Sequence, residues 1–220
     1  MGDNNFLKKT LYGDEIRQIL LEDIIEGKLK SGERIVETRW ARKLGVSQAP
    51  VREALKQLES MGLVENVPFQ GAFVSNITFE DVRHAYLVRI QLESLGMKDA
   101  IKYVKDEDLI KIKEALDAME VAAEAGDINS YVDEDVKFHQ MIMELSPNKF
   151  LMKLWKICNI REWTVIGTKW SQFDLTSLGK RHREIFKALE KRDENKLILE
   201  SKRHIEQLIE EHIPRHNSSG

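Results

Sequence analysis

The sequence predicts a mainly α protein in two parts: a head of short helices closed by a β hairpin, then an all-α bundle of six helices. Three observations lead there. Two short helical segments in the head are separated by a glycine; the apolar spacing switches from helical to alternating between residues 63 and 75; and from residue 78 onward only helical periods recur. With 220 residues the chain can form one large domain or two small ones. The change of period decides for two, 1–76 and 77–214, followed by a polar tail, 215–220, expected to be disordered.

Composition bounds the class. Hydrophobic residues at 42% and charged residues at 32% suit a globular chain that buries a real core. The single cysteine, Cys158, cannot form an internal disulfide, and residues 1–12 contain no apolar run fit for a secretory signal. No segment is long and apolar enough to span a bilayer, so a cytoplasmic protein without a membrane partner is expected. The net charge of -3 argues weakly against a nucleic-acid binder, but its distribution matters more. Between residues 37 and 56, Arg39, Arg42, Lys43, Arg52 and Lys56 stand against only Glu37 and Glu53, a modest footprint for phosphate contact.

In the head, Leu11, Ile16, Ile19, Leu20, Ile24 and Ile25 recur at helical spacing from Thr10 to Gly27. A second helix runs from Glu37 to Leu44, with Trp40, Ala41 and Leu44 on one side, and stops at Gly45. A third starts at Ser47, a good N-cap, tolerates Pro50 in its first turn, and carries Val51, Ala54, Leu55 and Leu58 inward to Gly62. The pair is a helix-turn-helix. The alternating stretches 63–67 and 72–75, joined through Pro68-Phe69-Gln70-Gly71, add a wing. Behind the head, helices are expected near 78–104, 106–125, 128–145, 148–170, 175–192 and 194–214.

A DNA-reading helix docks an apolar face on its domain and exposes groups that reach base edges and phosphates in the major groove. The third helix has both faces. Ser47, Gln48, Ala49, Arg52 and Lys56 lie opposite its apolar stripe, with Arg52 suited to guanine and Gln48 to adenine, and Gly71 lets the wing backbone approach a groove. A short basic helix is, taken alone, as readily a solvated face. The run Leu44-Gly45-Val46-Ser47-Gln48-Ala49-Pro50-Val51-Arg52-Glu53-Ala54-Leu55, followed by Leu58-Glu59 and Gly62-Leu63-Val64, closely resembles the winged-helix signature of the GntR family of transcription regulators. The resemblance implies double-stranded operator DNA as partner, with Ser47, Arg52 and Gly71 at the family's contact positions. Family members usually carry Arg where this chain has Gln48, and some have a second basic contact where it has Thr38, so operator preference does not carry over at those contacts.

The body holds a second pattern. One helix places Tyr131, Asp135, Phe138, His139 and Ile142 on its inward stripe; another gives Leu178, His182, Ile185, Phe186 and Leu189; the last gives Leu197, His204 and Leu208. A lone inward histidine is ordinarily a hydrogen-bonded core residue. A buried carboxylate together with three buried imidazoles is costly unless the groups share a partner, and one divalent cation removes those costs together. Asp135, His139, His182 and His204 suit Zn, with Ni, Fe and Mn as competitors. The set also resembles the metal-binding FCD effector domain of the FadR-like branch of GntR regulators, with an aspartate-x-x-x-histidine on one helix and one histidine on each of two later ones, and the expected six body helices resemble its shorter VanR-like subgroup.

That resemblance implies a homodimer, a repressor more often than an activator, whose operator affinity responds to a small organic acid touching the metal. Arg89 resembles the arginine that opens the family's effector domain and either clamps the anionic effector or pairs internally with Glu93. Two other readings compete: a purely structural metal behind the same DNA head, and a metalloenzyme acting on organic acids, for which no general base stands out.

Overall fold

The computed structural model describes the backbone of residues 3–212 except 172 and 173, and side chains from 13 to 210 with the same gap. The expected tail, 215–220, lies outside the described residues. The chain divides into two compact units, Met1–Thr78 and Phe79–Gly220.

The first unit packs α1 (Asp3–Ile25) across α3 (Gln48–Ser60), with α2 (Glu37–Leu44) against α3. Ile16, Leu20, Leu21 and Ile24 meet a core to which α2 adds Trp40 and Ala41, and α3 adds Val51, Ala54, Leu55 and Leu58. Gly45 ends α2 in the left-handed region (φ 67°), where its N–H reaches the Ala41 and Arg42 carbonyls and turns the chain toward α3. Ser47 stands at the N-cap of α3 with extended backbone, but its hydroxyl makes no capping bond and stays exposed. The wing gains a strand that periodicity did not reveal: β1 (Arg34–Ile35) pairs antiparallel with β3 (Gly71–Val74), which pairs with β2 (Val64–Val67), giving the order β1-β3-β2. At two residues, β1 is too short for alternation to register.

The second unit is all helical: α4 (Phe79–Tyr103), α5 (Asp106–Ala125), α6 (Ile128–Glu144), α7 (Lys149–Ile157), α8 (Ile160–Ser171), α9 (Leu175–Glu190) and α10 (Glu194–His212). Among the described residues it has seven helices, not six, because the stretch expected as one helix over 148–170 breaks at Cys158-Asn159. Asn159 takes φ 48° and its Nδ2 donates to the Ile157 carbonyl at 3.0 Å. Leu151 and Trp155 before the break and Ile160 after it fill one pocket with Met143, so the apolar spacing hides the turn. Helix α4 lies against α6, α7, α8 and α10, and α5 against α6 and α9. At the crossing of α4 and α6 a Cβ on Gly96 would lie 2.9 Å from Met143 Cγ and 3.3 Å from its Cα, so the glycine sets how closely the helices approach.

Candidate metal centre and nucleic-acid interface

In the head, α2, α3 and the sheet enclose a cleft of about 410 Å³ lined by Arg34, Glu37, Gln48, Arg52, Lys56 and Gly71, among others. Ser47, Gln48, Arg52 and Lys56 are exposed on the solvent face of α3, and Ala49 is half-buried beside them. Arg52, which the sequence assigns to base reading, is held by Glu37 of α2: Nη2 donates to Oε2 at 2.8 Å and Nε to both oxygens at 3.1 Å. Lys56 reaches Glu53 at 3.3 Å. Gly71, at φ 103°, needs a residue without Cβ, and such an atom would sit 3.4 Å from Arg34 Nε. Arg34 joins this surface only because β1 pairs beside the wing, and no helical spacing in the sequence pointed to it.

In the body the four inward groups meet. Asp135 and His139 of α6, His182 of α9 and His204 of α10 are each 2% exposed or less, and each offers a ligand atom within 4.8 Å of the others. Asp135 Oδ1 faces all three imidazoles: His182 Nε2 at 2.9 Å, and the Nε2 atoms of His139 and His204 at 4.0 Å. His182 is bonded at both ring nitrogens, Nδ1 to the Leu178 carbonyl at 3.0 Å and Nε2 to Asp135 Oδ1 at 2.9 Å; with the proton on Nδ1, Nε2 is the atom that would ligate a metal. Neither ring nitrogen of His139 or His204 has an aligned hydrogen-bond partner. Four buried donor atoms so placed, with imidazole nitrogens left unmatched, fit a divalent cation better than a hydrogen-bonded core.

Charge around the cluster is arranged by α4. Arg89, 1% exposed, donates from Nη2 to Asp135 Oδ2 at 3.0 Å, from Nε to Glu93 Oε1 at 2.6 Å, and from Nη1 to Thr164 Oγ1 at 3.2 Å. Of the two readings of Arg89, its geometry has the internal pair with Glu93 and adds Asp135. Glu93 is wholly buried; its Oε2 accepts from Ser201 at 2.8 Å and lies 2.8 Å from His139 Nδ1, close but out of line for a full hydrogen bond. Glu93 and Ser201 are the members of this network whose link to the ligands the sequence did not reveal.

Burial works against the charge on Asp135, yet Arg89 and the contact with His182 overrule it and hold its carboxyl well below the usual range. Burial likewise opposes ionisation of Glu93, but His139 and Arg89 bring it down to about 2. Burial pushes the His139 imidazole down against the pull of Glu93, and takes His204 far down, aided by His182. Arg89 is the permanent cation opposite Glu93, and the lowering owed to His139 holds only while that ring is protonated. The shifts run toward ionised carboxylates and toward neutral imidazoles at His139 and His204, the direction that metal ligation requires.

A winged helix-turn-helix head with a helical body built around a buried polar centre defines a class: DNA-binding regulators of two domains. Residues 13–74 match the bacterial regulatory proteins of the gntR family, and residues 84–207 match the FCD domain. A relative from Paenarthrobacter nicotinovorans, the "Probable D-xylose utilization operon transcriptional repressor", is 29% identical over 85% of this chain and 82% of its own length. The "HTH-type transcriptional repressor RspR" of Escherichia coli (strain K12) is 25% identical over 89% of this chain and 86% of its own. Among solved structures, E. coli McbR/YncC shares the fold, with a TM-score of 0.71 at 22% identity over 90% of this chain and 95% of that one. The chain belongs to the GntR family, in the group whose second domain is FCD, and is a DNA-binding transcriptional regulator. These relatives are regulators, which sets the metalloenzyme reading aside. Among the described residues no helix is long and apolar enough to cross a membrane.

Proposed function

We propose that the protein is a cytoplasmic homodimeric repressor whose operator affinity is set by a small organic acid at a divalent metal in the FCD domain. The convergence of Asp135, His139, His182 and His204 to within 4.8 Å carries this reading. Zn is favoured, since one carboxylate and three imidazoles suit it, with Ni, Fe or Mn as competitors. A divalent ion bound there would supply a Lewis-acidic position for a carboxylate oxygen of the effector. The chain's own groups do the rest. His182 is oriented by the Leu178 carbonyl, and Asp135 is kept ionised and aimed by Arg89. Arg89 serves the effector through Asp135, because each of its three nitrogens already holds one partner, Glu93, Thr164 and Asp135.

On DNA, Ser47, Gln48, Ala49, Arg52 and Lys56 of each recognition helix address one half-site of a palindrome, and Gly71 brings the wing backbone to the adjoining groove. Repression agrees with the names of the curated relatives, among them the "Gluconate operon transcriptional repressor" of Bacillus subtilis (strain 168), 29% identical over 68% of this chain. Coupling between effector and DNA is reciprocal, each altering the other's affinity by one factor. The near-complete burial of the four ligands favours a second reading, a metal that only stabilises the bundle.

One experiment separates the two. Fluorescence anisotropy on operator duplex is recorded with metal-loaded and chelated protein across a panel of small organic acids, with elemental analysis of protein purified without added metal. A sensor loses its acid response on chelation. With a structural metal, chelation lowers the melting temperature, and any acid response, from an effector bound elsewhere, does not depend on the ion.

A further inference from the structure

Glu93 ties three helices together at the edge of the ligand cluster without belonging to it. From α4 it receives Arg89 on Oε1, and on Oε2 it meets Ser201 of α10 and His139 Nδ1 of α6, both at 2.8 Å. It cannot join the four ligands around Asp135 Oδ1, because it sits on the Nδ1 edge of the His139 ring while Nε2 is the atom that faces Asp135. A carboxylate on one nitrogen of an imidazole whose other nitrogen points at a cation site fixes the tautomer and raises the basicity of the ligating atom.

We infer that Glu93 is a positioning residue: a slight turn of the ring lets it take the Nδ1–H of His139, which presents His139 Nε2 to the metal. Ser201 and Arg89 hold Glu93 in turn, so the chain Ser201–Glu93–His139 runs parallel to Arg89–Asp135, and the two meet at the ion. Two imidazoles are thereby oriented from behind, His139 by a carboxylate and His182 by the Leu178 carbonyl. His204 has no such anchor among the described residues and is the ligand free to adjust. The inference rests on the metal reading above.

The test uses the full chain and Co²⁺ as probe, whose visible spectrum reports its ligands. Kd is measured by competition with a chelator for the wild type, Glu93→Gln and Ser201→Ala, and ¹⁵N NMR of histidine-labelled, Zn-loaded wild type identifies the metallated nitrogen of His139. Glu93→Gln is expected to weaken Co²⁺ about 10- to 100-fold and to shift the visible bands, Ser201→Ala to weaken it a few-fold, and His139 to be metallated at Nε2 with Nδ1 protonated. Unchanged bands with affinity within about twofold of wild type, or metallation at Nδ1, overturns the inference. A merely structural Glu93 would lower melting temperature and leave the spectrum of the loaded protein as it was. If Glu93→Gln does not fold, Ser201→Ala and the NMR decide. A wild type that takes up no Co²⁺ defeats the metal reading itself, and the inference falls with it.

Discussion

Gly167 shows how a single atom can matter in the body. It lies inside α8, where glycine costs about 1 kcal/mol relative to alanine, and a Cβ there would sit 2.3 Å from the Tyr86 hydroxyl and 3.0 Å from the ring carbon that bears it. The glycine is there to admit Tyr86, a wholly buried residue whose hydroxyl has no partner among the described residues. Gly167→Ala is expected to destabilise the protein by about 1–3 kcal/mol despite its better helix propensity, read as a lower urea midpoint. Adding Tyr86→Phe should recover part of that loss, since it removes the atom in the way and a buried polar group left unmatched. Equal losses in the single and double variants would contradict this packing account. At the proposed metal centre, His182→Ala deletes the imidazole nearest Asp135 and is expected to abolish stoichiometric metal in elemental analysis while the far-UV spectrum stays helical.

Helices rather than residues decide how the recognition surface is held. Glu37 belongs to α2 and Arg52 to α3, so their fork spans the helix-turn-helix and fixes the guanidinium before DNA arrives. Arg52 is exposed and Glu37 only half-buried, so the pair contributes little to stability. Its effect falls on binding. Glu37→Gln should free a cation for phosphate, tighten binding to non-specific duplex, and steepen the salt dependence by about one unit of slope. Arg52→Ala should weaken operator binding by about 1–3 kcal/mol and relax base preference at one position, measured by titration against single-base variants of the site. Between α7 and α8, Asn159 is the joint. Asparagine tolerates left-handed backbone better than other side-chain-bearing residues, so Asn159→Ala is expected to cost about 1 kcal/mol in chemical denaturation, with metal binding unchanged.

For the molecule as a whole, the metal reading makes a thermal statement. Anything that binds only the folded state raises stability by RT ln(1 + [L]/Kd), about 2.7 kcal/mol when free ion exceeds Kd a hundredfold. Chelation is therefore expected to lower the calorimetric transition of the helical unit by several degrees, reversed by adding back the divalent ion. A transition indifferent to chelator in protein shown to carry metal would mean that the ion binds without stabilising the fold, contrary to four ligands drawn from three helices.

Pattern alone determined the order of parts in this chain. A glycine break, a switch to alternating residues and a return to helical spacing are local signals, and they marked the head, the wing and the inward stripes that hold Asp135, His139, His182 and His204. They missed what depends on several elements at once. Strand β1 exists because β3 lies beside it; α7 and α8 separate because Leu151, Trp155 and Ile160 fill one pocket from two directions; and Arg52 meets Glu37 only when α2 folds against α3. Glu93 is the clearest case. Its spacing from Arg89 foretold an ion pair along α4, but its contacts with His139 and Ser201, 46 and 108 positions away, follow from the packing of α4 against α6 and α10. Periodicity states which face of a helix is buried; only the meeting of faces decides which buried groups come together, because that choice is made across the chain and not along it.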